Sequence, residues 1–103
     1  MMSKNSKISI ITVTKNSEKF LQENIDSLEN QTYRNFEHII VDGASTDNTL
    51  KIIKANSDKI TKWISEPDAG LYYAMNKGLK LCSGDIIGIL NSDDKFYPEA
   101  LST

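Results

Sequence analysis

The 103-residue chain has the length of one domain, and its net charge of −2 and pI near 5.3 give no basic footprint for nucleic acid. Its positive charge is nearly all lysine, with Arg34 the one arginine, which argues against a guanidinium clamp for phosphate. Cys82 is the only cysteine, so an intrachain disulfide is impossible and a reducing compartment is the simplest inference. No apolar run approaches the roughly twenty residues of a membrane span, and Met1 to Lys7 contain no hydrophobic segment of signal type.

Ile8 to Thr14 is β-branched at every position but Ser9 and reads as a first, central strand. Lys15-Asn16-Ser17 turns the chain, and Ser17 is a good N-cap for a helix reaching about Asn30. Phe20, Leu21, Ile25 and Leu28 form its apolar stripe. Phe36 to Val41 is a second strand ending at Asp42, and His38 inside it is given no catalytic role. Gly43 allows a tight exit, Thr46 or Asp47 caps the next helix, and that helix fades near Asn56. Ile60 to Ser65 is a short strand suited to a sheet edge, with Lys59 and Lys62 discouraging further pairing.

Glu66 to Gly70 is a turn. A third helix follows from about Leu71 to Leu81, with Ala74, Gly78 and Leu81 able to pack closely. Tyr72, Tyr73 and Trp63 read as packing residues, and Cys82 as a small buried side chain on that helix. Ile86 to Leu90 is all aliphatic or glycine, as a strand buried on both faces requires, and it stops abruptly at Asn91-Ser92-Asp93-Asp94. Tyr97 to Leu101 reads as the first turn of another helix, with Pro98 at its first position.

Strand and helix alternate three times before the last strand, and helices of this length suit crossovers between parallel strands. The expected fold is α/β: a doubly wound, mostly parallel sheet of about four strands in the order 3-2-1-4, with helices on both faces, Rossmann-like. Ligands of such sheets bind beyond the carboxyl ends of the strands, where the order reverses. Thr12 to Thr14, Asp42 and Asn91 to Asp94 all fall at that edge. Two strand spacings put Asp42 and Asp93 about 10 Å apart, enough for a nucleoside at one end and a diphosphate at the other. No glycine-rich phosphate loop follows the first strand, so a hard divalent cation on Asp93 or Asp94 is the natural way to meet a diphosphate's charge.

Four stretches together resemble the inverting family 2 glycosyltransferases, which have the GT-A fold. They are Ile10 to Asn16, Ile39 to Thr49, Glu66 to Gly78 and Leu90 to Asp94, and they cover essentially the whole chain in the family's order. The resemblance implies that Thr12, Thr14 and Asp42 hold the nucleotide, with Asp42 accepting from a ring N–H. It also implies that Asp68, Asn76 and Asp93 line the donor site and that Asp93 and Asp94 bind Mg²⁺ or Mn²⁺. The implied partners are a nucleoside-diphosphate sugar, a UDP-sugar first among them, and a saccharide or lipid-linked acceptor. The implied reaction inverts the anomeric centre, in bacterial surface-polysaccharide synthesis, at a cytoplasmic location or peripherally at the inner face of the membrane. Asn91 stands where many relatives have an acid, and Met75 where many carry an arginine. Family members continue well past the metal motif and place the catalytic base there. Residues 1–103 are therefore expected to be the donor-binding part, inactive alone, with no catalytic residue of its own and with dimerisation through the sheet edge at strand four.

Two other readings remain. One is a non-enzymatic nucleotide- or metal-binding α/β module whose acids bind a cation or cap helices. The other is a signalling receiver domain, but receivers need acids just after the first strand, and this chain has Thr12, Thr14 and Lys15 there.

Overall fold

The computed structural model describes residues 6–31, 34–67 and 70–90. Strand β1 (Ile8–Thr14) leads to helix α1 (Leu21–Glu29), β2 (Phe36–Asp42), α2 (Thr49–Ala55), β3 (Lys62–Ser65), α3 (Leu71–Leu81) and β4 (Ile86–Ile89). All strand pairs are parallel, and the sheet order is β3-β2-β1-β4, as the alternating pattern predicts. The β1–β2 ladder runs for seven residue pairs, from Ile8 opposite Phe36 to Thr14 opposite Asp42.

Side chains alternate across this sheet and divide the core in two. Ile40 packs with Leu21, Ile25, Ile53 and Ile60 under α1 and α2. Ile8, Ile10 and Leu90 pack with Leu28 on the same face. On the other face Ile39 and Val41 pack with Ala74 under α3. Gly78 lets α3 settle onto β1: a Cβ added there would stand 2.7 Å from Ile11 Cγ2.

Four local expectations are corrected. Helix α1 begins at Leu21 and not after Ser17, because the Ser17 carbonyl accepts from the N–H groups of Phe20 and Leu21 and makes a separate turn. Phe20 therefore sits at the helix entry and is exposed, outside the buried stripe. Strand β3 starts at Lys62, two residues later than Ile60, which is buried under the helices. Tyr72 and Tyr73 are exposed on α3, edge to face with centroids 5.7 Å apart, and are not core packing. Strand β4 is not buried on both faces: Ile86, Ile87 and Ile89 are 38%, 46% and 45% exposed. Helix α3 packs on β1 and β2, so among the described residues β4 is a sheet edge. The expected helix turn at Tyr97 to Leu101 lies outside the described residues.

The amino end of the sheet is fastened by one buried carboxylate. Glu37 accepts from Ser9 Oγ (2.6 Å), Ser83 N–H (2.6 Å) and Ser83 Oγ (3.0 Å), and pairs with Lys7 Nζ at 3.5 Å. Burial alone would raise its pKa. The serine hydrogen bonds and the Lys7 charge outweigh it and bring the value down to about 2.

Two stability measurements check this packing. Gly78→Ala should lower the urea midpoint by an amount equivalent to about 1–3 kcal/mol, since the new methyl overlaps Ile11. Glu37→Gln should cost roughly 2–3 kcal/mol at neutral pH, because it removes the ionised acceptor of several buried donors. The Glu37 contribution is complete above the ordinary glutamate pKa of 4.5 and is lost as pH falls towards about 2, so the variant's stability profile should be flatter across that window.

Candidate nucleotide site at the carboxyl edge of the sheet

The β1–α1 and β2–α2 turns meet above the carboxyl ends of β1 and β2. Thr14 and Asp42 are opposite one another there, on the face covered by α1 and α2. Gly43 N–H continues the ladder to Thr14 O at 2.9 Å. The Thr14 Oγ1 is buried and has no hydrogen-bond partner among the described residues. An unpaired buried hydroxyl costs free energy, and a ligand group arriving at this edge would relieve it.

Asp42 is fully buried. Its Oδ2 accepts from Ser45 N–H at 3.0 Å and Ser65 Oγ at 2.8 Å, and its Oδ1 accepts from Ser45 Oγ at 2.5 Å. Ser45 Oγ also accepts from Asn16 N–H at 2.8 Å. Asn16 Oδ1 accepts from the backbone N–H groups of Thr46 (2.8 Å) and Asp47 (3.3 Å). Asn48 and neither Thr46 nor Asp47 is the N-cap of α2, and Asp47, one residue before it, accepts through Oδ1 from Thr49 N–H and Thr49 Oγ1 in the first turn. Burial would raise the Asp47 pKa, and the bonds from Thr49 and Glu18 N–H outweigh it, leaving the carboxyl below its ordinary range.

Thr12 lies one residue pair deeper and is withdrawn from the edge. It is fully buried, with its hydroxyl 2.8 Å from His38 Nε2 and donating to Asn24 Oδ1 at 3.3 Å. With the Thr12 proton on Asn24, the neutral ring that fits is the Nε2–H tautomer. Burial lowers the His38 pKa from 6.5 to about 4. The Thr12 side-chain oxygen is engaged in joining β1 to β2 and α1. Asn76 is half-buried in α3, which covers the opposite face of the sheet from Thr14 and Asp42. Lys77 Nζ bonds Glu66 Oε1 at 3.0 Å and Pro67 O at 3.1 Å. Asp68, Asn91, Asp93 and Asp94 lie outside the described residues. Leu90 leads to the last three, and its N–H is held by Ile11 O at 3.0 Å. Among the described residues no three acids, histidines or cysteines cluster as a metal site. The Cys82 thiol donates to Gly78 O, and burial raises its pKa, as suits a packing residue.

Sequence reading missed Asn16, Asn24, Ser45 and Ser65. Only Ser45 carried a local signal, its place three residues after Asp42, where a side-chain-closed turn forms.

The model of Glycosyl transferase family 2 matches residues 9–103, and the chain belongs to that family. It is 36% identical over 97 residues to a chondroitin synthase of Escherichia coli, covering 91% of this chain and 14% of that one. The fold superposes on S. aureus TarS 1–349 in complex with UDP with a TM-score of 0.84 at 34% identity, covering 93% of this chain and 30% of that one. A mannosyltransferase of Pyrobaculum calidifontis, in complex with GDP-Man and Mn²⁺, gives a TM-score of 0.83 at 24% identity, covering 89% of this chain and 29% of that one, a likeness of fold alone. The fold is that of the GT-A glycosyltransferases, and this chain spans less than a third of the length of each of these three proteins.

The His38 site makes a pH prediction. Its folded pKa lies below its ordinary value, so its contribution is full above pH 6.5 and is lost as pH falls through about 4. Unfolding free energy measured by denaturant titration should fall between pH 6.5 and 5 with a slope approaching about 1.4 kcal/mol per pH unit. His38→Gln should remove that slope.

Proposed function

We propose that residues 1–103 form the donor-binding part of an inverting glycosyltransferase that moves a sugar from a nucleoside diphosphate, a UDP-sugar first among candidates, to a hydroxyl of a saccharide or lipid-linked acceptor. The observation that carries this reading is the match of the four-stranded unit to UDP-bound TarS at 34% identity over nearly the whole chain. The likeness to a chondroitin synthase supports a role in polysaccharide synthesis.

In this reading the base lies over the carboxyl ends of β1 and β2, beside the Thr14 hydroxyl, which has no partner among the described residues, and above Asp42. The diphosphate runs towards the end of β4. Asp68 and Asn76 are assigned to the sugar-bearing side. Asp93 and Asp94 offer hard carboxylate oxygens, a donor set that fits Mg²⁺ or Mn²⁺. Such a cation, when bound, supplies charge neutralisation for the departing nucleoside diphosphate. The chain's own part is to bind and orient the donor so that the acceptor oxygen approaches the anomeric carbon in line with the breaking bond. Deprotonating the acceptor is assigned to a carboxylate in the remaining length that relatives possess. Alone, residues 1–103 bind nucleotide weakly and do not turn over.

Calorimetric titration of the purified chain with UDP, GDP and dTDP, with and without Mn²⁺, tests the reading. The expected result is metal-dependent binding of UDP that weakens at least tenfold in Asp93→Ala combined with Asp94→Ala. Binding that ignores both the metal and this pair would remove the cation from the reading. Preference for another nucleotide would reassign the base.

A further inference from the structure

A carboxylate has about four lone-pair directions. In Asp42 protein donors already take three of them, and no part of the residue reaches solvent. These donors come from separate segments: Ser45 from the β2–α2 turn and Ser65 from the end of β3. Through Ser45 the chain of bonds continues to Asn16 in the β1–α1 turn, and through Asn16 back to Thr46 and Asp47. Within this network Asn16 and Ala44 hold left-handed backbones, φ 50° and 58°. Such conformations cost a non-glycine residue about 1 kcal/mol or more, and they persist where surrounding bonds over-determine them. A direct contact between Asp42 and a base would require this closed arrangement to open.

We propose that Asp42 is a positioning residue: it fixes the wall built by the β1–α1 and β2–α2 turns, against which the nucleotide lies, and does not touch the base. The proposal rests on the donor-site reading and specifies how that site recognises its ligand. Base selection then falls to the turns themselves and to the Thr14 hydroxyl, and Asp42 governs affinity without governing choice.

Uracil and cytosine separate the two roles, because uracil carries a hydrogen on ring nitrogen 3 and cytosine a bare nitrogen. An Asp that accepts from that N–H favours UDP, and replacement by Asn, which can donate, turns the preference towards CDP. For a positioning residue, Asp42→Asn weakens UDP and CDP by the same factor, roughly fivefold or more for one lost hydrogen bond. The experiment is an amide-resolved NMR titration of the chain, wild type and variants, with UDP and with CDP, under conditions where each variant is folded. Ser65→Ala, which removes one donor from Asp42, should weaken both nucleotides together. Ser65→Thr, which keeps the hydroxyl, should restore them, a rescue that a general loss of stability would not produce. Hydrogen exchange at Ser45 N–H should accelerate at least tenfold in Asp42→Asn and Ser65→Ala. A shift of preference towards CDP in Asp42→Asn, or unchanged exchange at Ser45, would overturn the proposal. If the wild type binds neither nucleotide, the donor-site reading fails, while exchange at Ser45 still decides whether Asp42 holds the turns.

Discussion

The seven-pair parallel ladder between β1 and β2 is the constraint from which the other positions follow. It is buried on both faces along nearly its whole length. In a parallel sheet the chain leaves every strand at one end and enters the next at the other, so the carboxyl-end turns of neighbouring strands lie side by side. Here that adjacency brings the turn after Thr14 against the turn after Asp42, and α1 and α2 start together above them. The Ser17 N–H is held by Thr49 Oγ1 at 2.8 Å, so each turn braces the other's helix entry.

Strand β2 carries a buried carboxylate near each end, and the two do different work. Glu37, on the α3 face, gathers Ser9, Ser83 and Lys7 and closes the amino edge where β4 enters. Asp42, on the α1–α2 face, gathers Ser45 and Ser65 at the carboxyl edge. Each has its acceptor oxygens matched by several donors, at least one of them more than twenty residues away, so removing either acid strands several groups at once. A sheet with apolar residues at both places would hold its strands equally well, but it would not dictate the path of the flanking turns.

The strands β1 and β2 and the helix α3 were legible because their patterns allow few readings. An almost unbroken β-branched run suits a doubly covered strand, and Ala74, Gly78 and Leu81 mark one narrow helix face. The four-motif resemblance made the family legible as well. The exposure of β4 was not, because an aliphatic run states that a strand suits burial and not whether anything covers it. The start of α1 was misplaced because Ser17 is a good cap in isolation, while its carbonyl closes a turn before the helix. At the site, Asp42 was visible as an acid ending a strand. Its partner Ser65 is 23 residues away, and the tie between Thr12 and His38 spans 26, so neither side chain's engagement could be read locally.

The strain at this edge bears on what the edge is for. Asn16 tolerates a left-handed backbone comparatively well, but Ala44 has no side-chain group to offset the cost. A connection with no task beyond joining β2 to α2 could relax, or place glycine one residue later than Gly43. Instead the chain keeps alanine in a strained position and holds it by bonds at Ser45 from both sides, Asp42 beneath and Asn16 alongside. Shaping a wall before the ligand arrives lowers the ordering cost of binding, which matters most where affinity rests on few contacts. The buried acid and the two left-handed residues thus belong to one arrangement that fixes the turns over the carboxyl ends of β1 and β2.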